Sequence, residues 1–128
     1  MNKSMFQSVI DFQTAFGQRV GEHPELPSRK EREMRATLLA EEFEEYMVAE
    51  DENDLVEIAD ALADIIYIAC GTAASYGIDL DEVFKEVHRS NMAKLVDGKV
   101  IRREDGKILK PEGWTPPDIK SVLWPTDV

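Results

Sequence analysis

Glu41, Glu42, Glu44 and Glu45, followed by Glu57, Asp60 and Asp64, are the residues of this sequence best suited to chemistry. They belong to a stretch between Arg35 and Lys85 that holds fourteen aspartates and glutamates and no lysine or arginine. At about 100° of helical rotation per residue, Leu38, Glu42 and Glu45 stand at i, i+4 and i+7, the spacing of a buried seam. Glu41 lies at the edge of that seam and Glu44 points away. Glu57, Asp60 and Asp64 form a second stripe at i, i+3 and i+7, and Leu62, Ile65, Ile66, Ile68 and Ala69 make the surroundings of Asp64 apolar. A solvated acidic face would set its carboxylates opposite the leucines instead. Buried carboxylates repel one another and lose hydration, so they need a compensating charge that the segment itself does not supply. Side chains three or four apart lie roughly 5–6 Å from each other. Two such helices packed antiparallel across a short connection bring four to six carboxylates together. Hard oxygen donors of this kind suit Mg2+ or Mn2+ and point to chemistry on phosphates. Neither His23 nor His88 has ligand spacing, and no His–Cys set exists for zinc.

The elements that must position these acids follow from periodicity and caps. Phe6, Val9, Ile10, Phe12, Gln13 and Phe16 predict a first amphipathic helix, starting near Ser4 or Asn2 and ending near Gly17 or Gly21. His23-Pro24-Glu25-Leu26-Pro27 is a turn, because proline and the residue before it resist helix. Ser28 with Glu31 reads as a capping box opening a long helix to about Glu50. Asp51–Asp54 is either a short connection or a new N-terminus. A third helix runs from about Asn53 to Tyr76 and stops at Gly77, a good residue for the left-handed C-terminal position. A fourth begins at Asp79 or Asp81 and continues to about Leu95. Beyond it, residues 100–109 read as a small hairpin around Asp105-Gly106. Four prolines with Trp114 and Trp124 then make an irregular arm. The expected fold is all-α: a four- to five-helix bundle, with a helical core over about residues 3–95 and a short C-terminal hairpin and arm over about 98–128.

One hundred and twenty-eight residues, 43% of them hydrophobic, suit a single domain with a real core rather than a disordered chain. A formal net charge of −11 argues against nonspecific binding to nucleic acid or anionic membranes. The one cysteine, Cys70, lies in an apolar run and reads as core. The N-terminus lacks a signal-peptide apolar region, and the longest apolar run, residues 65–74, is too short to span a bilayer, so the cytoplasm is the expected location. Basic residues gather late, from Lys85 through Arg89, Lys94 and Arg102 to Lys110. The chain from Ala36 onward is therefore an acidic helix pair followed by a relatively basic arm.

Glu41-Glu42-Phe43-Glu44-Glu45 resembles the EExxE motif of the all-α nucleoside triphosphate pyrophosphohydrolases, the MazG and phosphoribosyl-ATP pyrophosphohydrolase superfamily. Glu57-Ile58-Ala59-Asp60 is similar to its ExxD half, and Asp64-Ile65-Ile66-Tyr67 to the Asp plus apolar-aromatic run found there. Residues 87–94, Asp105-Gly106-Lys107 and residues 113–118 are similar to a branch common in bacteria and phages, so the resemblance covers roughly residues 30–118. One departure stands out. Alignment on Asp64 puts Ala61 where the ExxD glutamate would be, whereas alignment on Asp60 supplies Glu57 and leaves Asp64 extra.

The resemblance implies Mg2+-dependent hydrolysis of an NTP or dNTP to NMP and pyrophosphate, a reaction that cleans nucleotide pools. It implies metal ligands among Glu42, Glu45, Glu57, Asp60 and Asp64, with Mn2+ as an alternative ion. Glu41, Glu42 and Glu45 become the catalytic carboxylates, Glu41 being the one to orient or deprotonate the water. Asn91 and Lys94, at i and i+3, become substrate contacts, with Lys110 in a similar role. Gln13 or Phe12 and Trp114 are candidates for the base pocket, Trp114 on an arm that can fold over a site. A homodimer or homotetramer is implied as well. Two other readings remain: a non-catalytic acidic helical module that binds a cationic partner, and a pyrophosphohydrolase acting on a phosphoribosyl nucleotide.

Overall fold

The computed structural model of the chain describes residues 2–126. It contains α1 (Met5–Ala15), α2 (Arg29–Asp51), α3 (Leu55–Ser75), α4 (Leu80–Met92), a two-stranded hairpin of β1 (Leu95–Val96) and β2 (Lys99–Val100), and α5 (Ile119–Leu123). The helical class expected from the sequence is therefore the one found. The chain divides into two compact units, Met1–Leu80 and Asp81–Val128.

In the first unit, the Ser4 hydroxyl accepts from the Gln7 amide, and the Gln7 side chain reciprocates to the Ser4 amide, a complete capping box. α2 starts on Ser28, whose hydroxyl accepts from the Glu31 amide at 3.2 Å. Only half of the box expected there forms, because the Glu31 carboxylate accepts a hydrogen bond from Ser75 Oγ on α3. A charged acceptor gains more from a buried hydroxyl than from a solvated cap amide, so the long-range bond prevails. Glu52, Asn53 and Asp54 join α2 to α3, with Asn53 in the left-handed region (φ 55) that its short polar side chain tolerates. This makes α2 and α3 a helical hairpin whose members pack on each other, while α1 packs on α3.

Phe6 and Val9 of α1 and Cys70, Ala73 and Ala74 of α3 form the fully buried apolar core, with Ile10, Ile78 and Leu80 against it. Small residues on that part of α3 let α1 approach closely. Gly77 ends the helix with φ 71, and a Cβ there would come within 2.1 Å of the His23 carbonyl. Any other residue at this position would therefore be strained and would displace the turn. Away from this core, the buried apolar residues of α2 and α3 are the small Ala49 and Ala61, and Phe43, Met47, Leu55 and Leu62 stay exposed.

In the second unit, β1 and β2 pair antiparallel, Leu95 opposite Val100 and Val96 opposite Lys99. Asp97 (φ 50) and Gly98 (φ 73) make the turn, the two left-handed residues that a tight hairpin needs. The hairpin expected around Asp105-Gly106 is reduced to one bridge, Arg102 with Ile108. Beside it, Arg103 N donates to Lys107 O, Gly106 N to Arg103 O and Leu109 N to Ile101 O. The earlier Asp97-Gly98 turn takes the ladder and ends α4 before Leu95. The arm also contains a short helix, α5, capped by Asp118, where only irregular chain was expected.

That arm is tied to α4. The Glu86 carboxylate receives the Arg89 guanidinium at 2.8 and 2.9 Å and the Asp118 amide at 2.7 Å. The Arg89 hydrogen bonds, and next the Asp118 amide, hold the Glu86 carboxyl down to about 2, from an ordinary 4.5. Because the folded value is depressed, its contribution is present above 4.5 and lost as pH falls toward 2. Glu86→Gln is expected to raise amide hydrogen exchange over residues 114–124 at neutral pH, and wild-type protein is expected to show the same release only as pH drops below 4.5.

Candidate functional site

The α2–α3 hairpin sets Glu42, Glu45 and Asp64 so that one oxygen from each lies within 4.8 Å of the others. Glu42 and Asp64 are half-buried, whereas Glu45, Glu57, Asp60 and Glu41 are exposed. Of the acids expected in core phase, Glu42, Glu45, Glu57, Asp60 and Asp64, two are thus half-buried and none is fully buried, since each buried charge would cost hydration without a partner. One oxygen of Glu42, Oε2, is buried and lacks any hydrogen-bond partner. Among the described residues, no lysine, arginine or histidine forms an ion pair with Glu42, Glu45 or Asp64.

Burial, the close approach of the Glu45 carboxyl, and the charges of Glu45, Asp64 and Asp60 all push the Glu42 carboxyl above its ordinary 4.5. Burial, then Asp60 and Glu45, push Asp64 above 3.8. Three mutually repelling carboxylates with an orphaned buried oxygen form an incomplete electrostatic unit. A hard divalent cation fits it: the donors are all oxygen, and their spacing is that of ligands around one ion. Beside the trio, Glu41, Glu44, Glu45, Glu57 and Asp60 line an open cleft of about 640 Å3. Asp60 therefore borders the trio and raises both of its perturbed members, while Glu57 stands farther along the cleft.

A second cleft of about 600 Å3 lies in the same unit, lined by residues of α1, α2 and α3 that include Phe12, Gln13, Arg35 and Tyr67. Gln13 is 2% exposed, its amide donating to the Arg19 carbonyl and its oxygen accepting from Arg35 Nη2 at 2.9 Å. Arg35 was legible in the sequence only as the last cation before the acidic stretch. Its burial is a tertiary feature, although its position seven residues before Glu42 placed it on the same helix face.

The other expected substrate residues gather in the second unit. Trp114 Nε1 donates to the Ser90 carbonyl at 2.6 Å, and Lys94 and Lys110 stand 5.6 and 4.9 Å from its ring centre. Lys94 Nζ also donates to Asn91 Oδ1 at 3.2 Å. Asn91, Lys94, Lys110 and Trp114 are thus one connected group.

The chain belongs to the phosphoribosyl-ATP pyrophosphohydrolase family, whose profile matches residues 9–91, within the MazG-like nucleoside triphosphate pyrophosphohydrolase superfamily. The family is one of pyrophosphohydrolases, hydrolases acting on phosphoric anhydrides. The chain is also similar to an uncharacterized protein of Acanthamoeba polyphaga mimivirus, 35% identical over 80 residues, 59% of this chain and 32% of the relative. The chain thus spans about a third of the length of that curated relative. The family match covers both clefts and the acidic trio, and it ends before Lys94, Lys110 and Trp114.

The raised carboxyls carry a sign. Below 3.8 the folded and unfolded chains are both protonated at these groups, and stability is lost as pH rises through the folded values. In chelator, Glu42→Gln and Asp64→Asn are each expected to raise the melting temperature near neutral pH by roughly 2–5 °C. Wild-type protein is expected to gain stability on mild acidification, a gain the double variant lacks in differential scanning calorimetry.

Proposed function

We propose that the chain is a metal-dependent nucleotide pyrophosphohydrolase that splits an NTP or dNTP into NMP and pyrophosphate. The observation that carries this reading is the convergence of Glu42, Glu45 and Asp64, with no ion-pairing cation among the described residues, in a chain of this family. Glu42, Glu45 and Asp64 would hold Mg2+, with Asp60 beside them and Glu57 within reach of a further ion along the cleft. Bound Mg2+ or Mn2+ supplies charge neutralisation on the phosphate oxygens and a more acidic water.

The chain's own residues do the remainder. Water oxygen bonds to the α-phosphorus, the bond to the bridging oxygen breaks, and pyrophosphate departs with the displaced electron pair. Glu41, exposed on the cleft and outside the trio, accepts the proton of that water. Placing the carboxylates on two packed helices fixes their geometry before substrate arrives, and most of the catalytic advantage in phosphoryl chemistry comes from such positioning. Gln13 is assigned to the substrate-binding cleft of the first unit. Asn91, Lys94, Lys110 and Trp114 are assigned as substrate contacts on the strength of their cationic and aromatic character.

The exposed apolar residues of α2 and α3, among them Phe43 and Leu55 at 54% and 77% exposure, support assembly as a homodimer or homotetramer. We place the enzyme in the cytoplasm, where nucleotide pools reside; no helix among the described residues is long and apolar enough to cross a membrane. A second reading, hydrolysis of a phosphoribosyl nucleotide, is favoured by the family match itself.

A nucleotide panel with Mg2+ and Mn2+, read by mass spectrometry of the products, tests the proposal. Release of pyrophosphate and a monophosphate is expected, and Asp64→Asn is expected to lower kcat at least about a hundredfold. Folded protein that releases no pyrophosphate from any nucleoside triphosphate or phosphoribosyl nucleotide would contradict it.

A further inference from the structure

The Arg35 guanidinium is 7% exposed and belongs to no ion pair among the described residues. Its natural helical counter-ion, Glu31 at i−4, is turned to Ser75 instead. Among the described residues its one hydrogen bond links Nη2 to Gln13, and its Nε–H is buried without an acceptor. An arginine never sheds its proton in a protein, so this is a charge left desolvated and a donor left unmade. Such a group is costly unless something else completes it.

The surroundings indicate what does. Arg35 lines the 600 Å3 cleft together with Phe12 and Tyr67, whose rings meet edge to face at 5.6 Å. A flat ring can lie against this aromatic corner. Gln13 donates to the Arg19 carbonyl and accepts from Arg35, which holds the guanidinium in place, and Arg35 presents donors only. Gly71 on α3 keeps the pair in place, since a Cβ there would stand 2.5 Å from Gln13 Oε1 and 2.8 Å from Arg35 Nη1. Arg35 precedes Glu42 by seven residues on α2, about 10 Å along the helix axis, a span suited to a nucleoside whose phosphates reach the acids.

We propose that this cleft seats the nucleobase and that Arg35, held by Gln13, donates to a keto oxygen on it, so that guanine, uracil and thymine are preferred over adenine. The inference rests on the nucleotide reading of the acidic site and specifies its substrate. A guanidinium fork is matched by carbonyl and ring-nitrogen acceptors, as in guanine, and poorly by the amino group that adenine presents. A bound base would give the Arg35 guanidinium an acceptor within a cleft lined by Phe12 and Tyr67, which an aliphatic chain would not do.

The test uses uncharged nucleosides in EDTA, so that metal and phosphate play no part. Guanosine and uridine are expected to bind wild-type protein about tenfold more tightly than adenosine in titrations followed by NMR. The Arg35 Nε–H resonance is expected to shift with uridine and to stay in place with adenosine or inorganic phosphate. Arg35→Met is expected to bring the keto-to-adenine ratio close to one, both in nucleoside binding and in kcat/KM across the triphosphates. The wild-type resonance decides the matter even if that variant does not fold. Equal or tighter binding of adenosine, a ratio unchanged in Arg35→Met, or an Arg35 shift driven by inorganic phosphate alone would overturn the proposal. Hydrolysis without base discrimination defeats the pocket and spares the reaction. Discrimination among nucleosides without any hydrolysis defeats the reaction and spares the pocket.

Discussion

Like charges held together without a counter-ion constrain everything else in this molecule. Glu42, Glu45 and Asp64 bring oxygens within 4.8 Å of one another, and Asp60 adds to the repulsion. The helical hairpin of α2 and α3 sets the backbone positions from which these side chains converge. The three-residue connection at Glu52–Asp54 fixes the pairing of the two helices, and the tie from Ser75 to Glu31 holds the far end. The protein thus pre-assembles donors that would repel one another in a flexible chain, which is what a cation site requires if binding is not to spend its free energy on ordering ligands.

The first unit separates two kinds of polar work along the hairpin. Near its middle, an excess of acceptors awaits a cation; two turns earlier, an excess of donors awaits an acceptor. Arg35 and Glu42 are both buried enough to feel their missing partners, and neither satisfies the other. A nucleotide carries both complements in one molecule, acceptors on its base and metal-bound phosphates at the other end. Around these two clefts the packing is tight where α1 meets the small residues of α3 and sparse on the outer faces of α2 and α3.

Much of this was readable in the sequence, because helices announce themselves locally. Ser4, Ser28, Gly17 and Gly77 act where a cap or a left-handed residue was needed, and the acidic stripes at i, i+3, i+4 and i+7 fall on facing helices. What escaped was decided by tertiary competition. Glu31 abandons its cap for Ser75, since a distant hydroxyl outbids a local amide. Asp97-Gly98 captures the hairpin from Asp105-Gly106, two turn signals of equal local merit. The latch between Glu86, Arg89 and Asp118 joins residues about thirty apart in sequence, and no periodicity encodes it. Arg35 stood in the sequence only as the boundary of the acidic stretch, because burial of a charge leaves no local trace. How deeply each acid is buried was likewise invisible, since helical phase gives direction and not depth.

The central claim is that the trio on α2 and α3 is a cation site, and electron paramagnetic resonance of added Mn2+ tests it most directly. Wild-type protein should deplete the free-ion signal saturably, in competition with Mg2+, and the Glu42→Gln, Asp64→Asn double variant should lose that binding while remaining folded by circular dichroism. Equal depletion by the two proteins, or none by the wild type at millimolar Mn2+, would contradict the account.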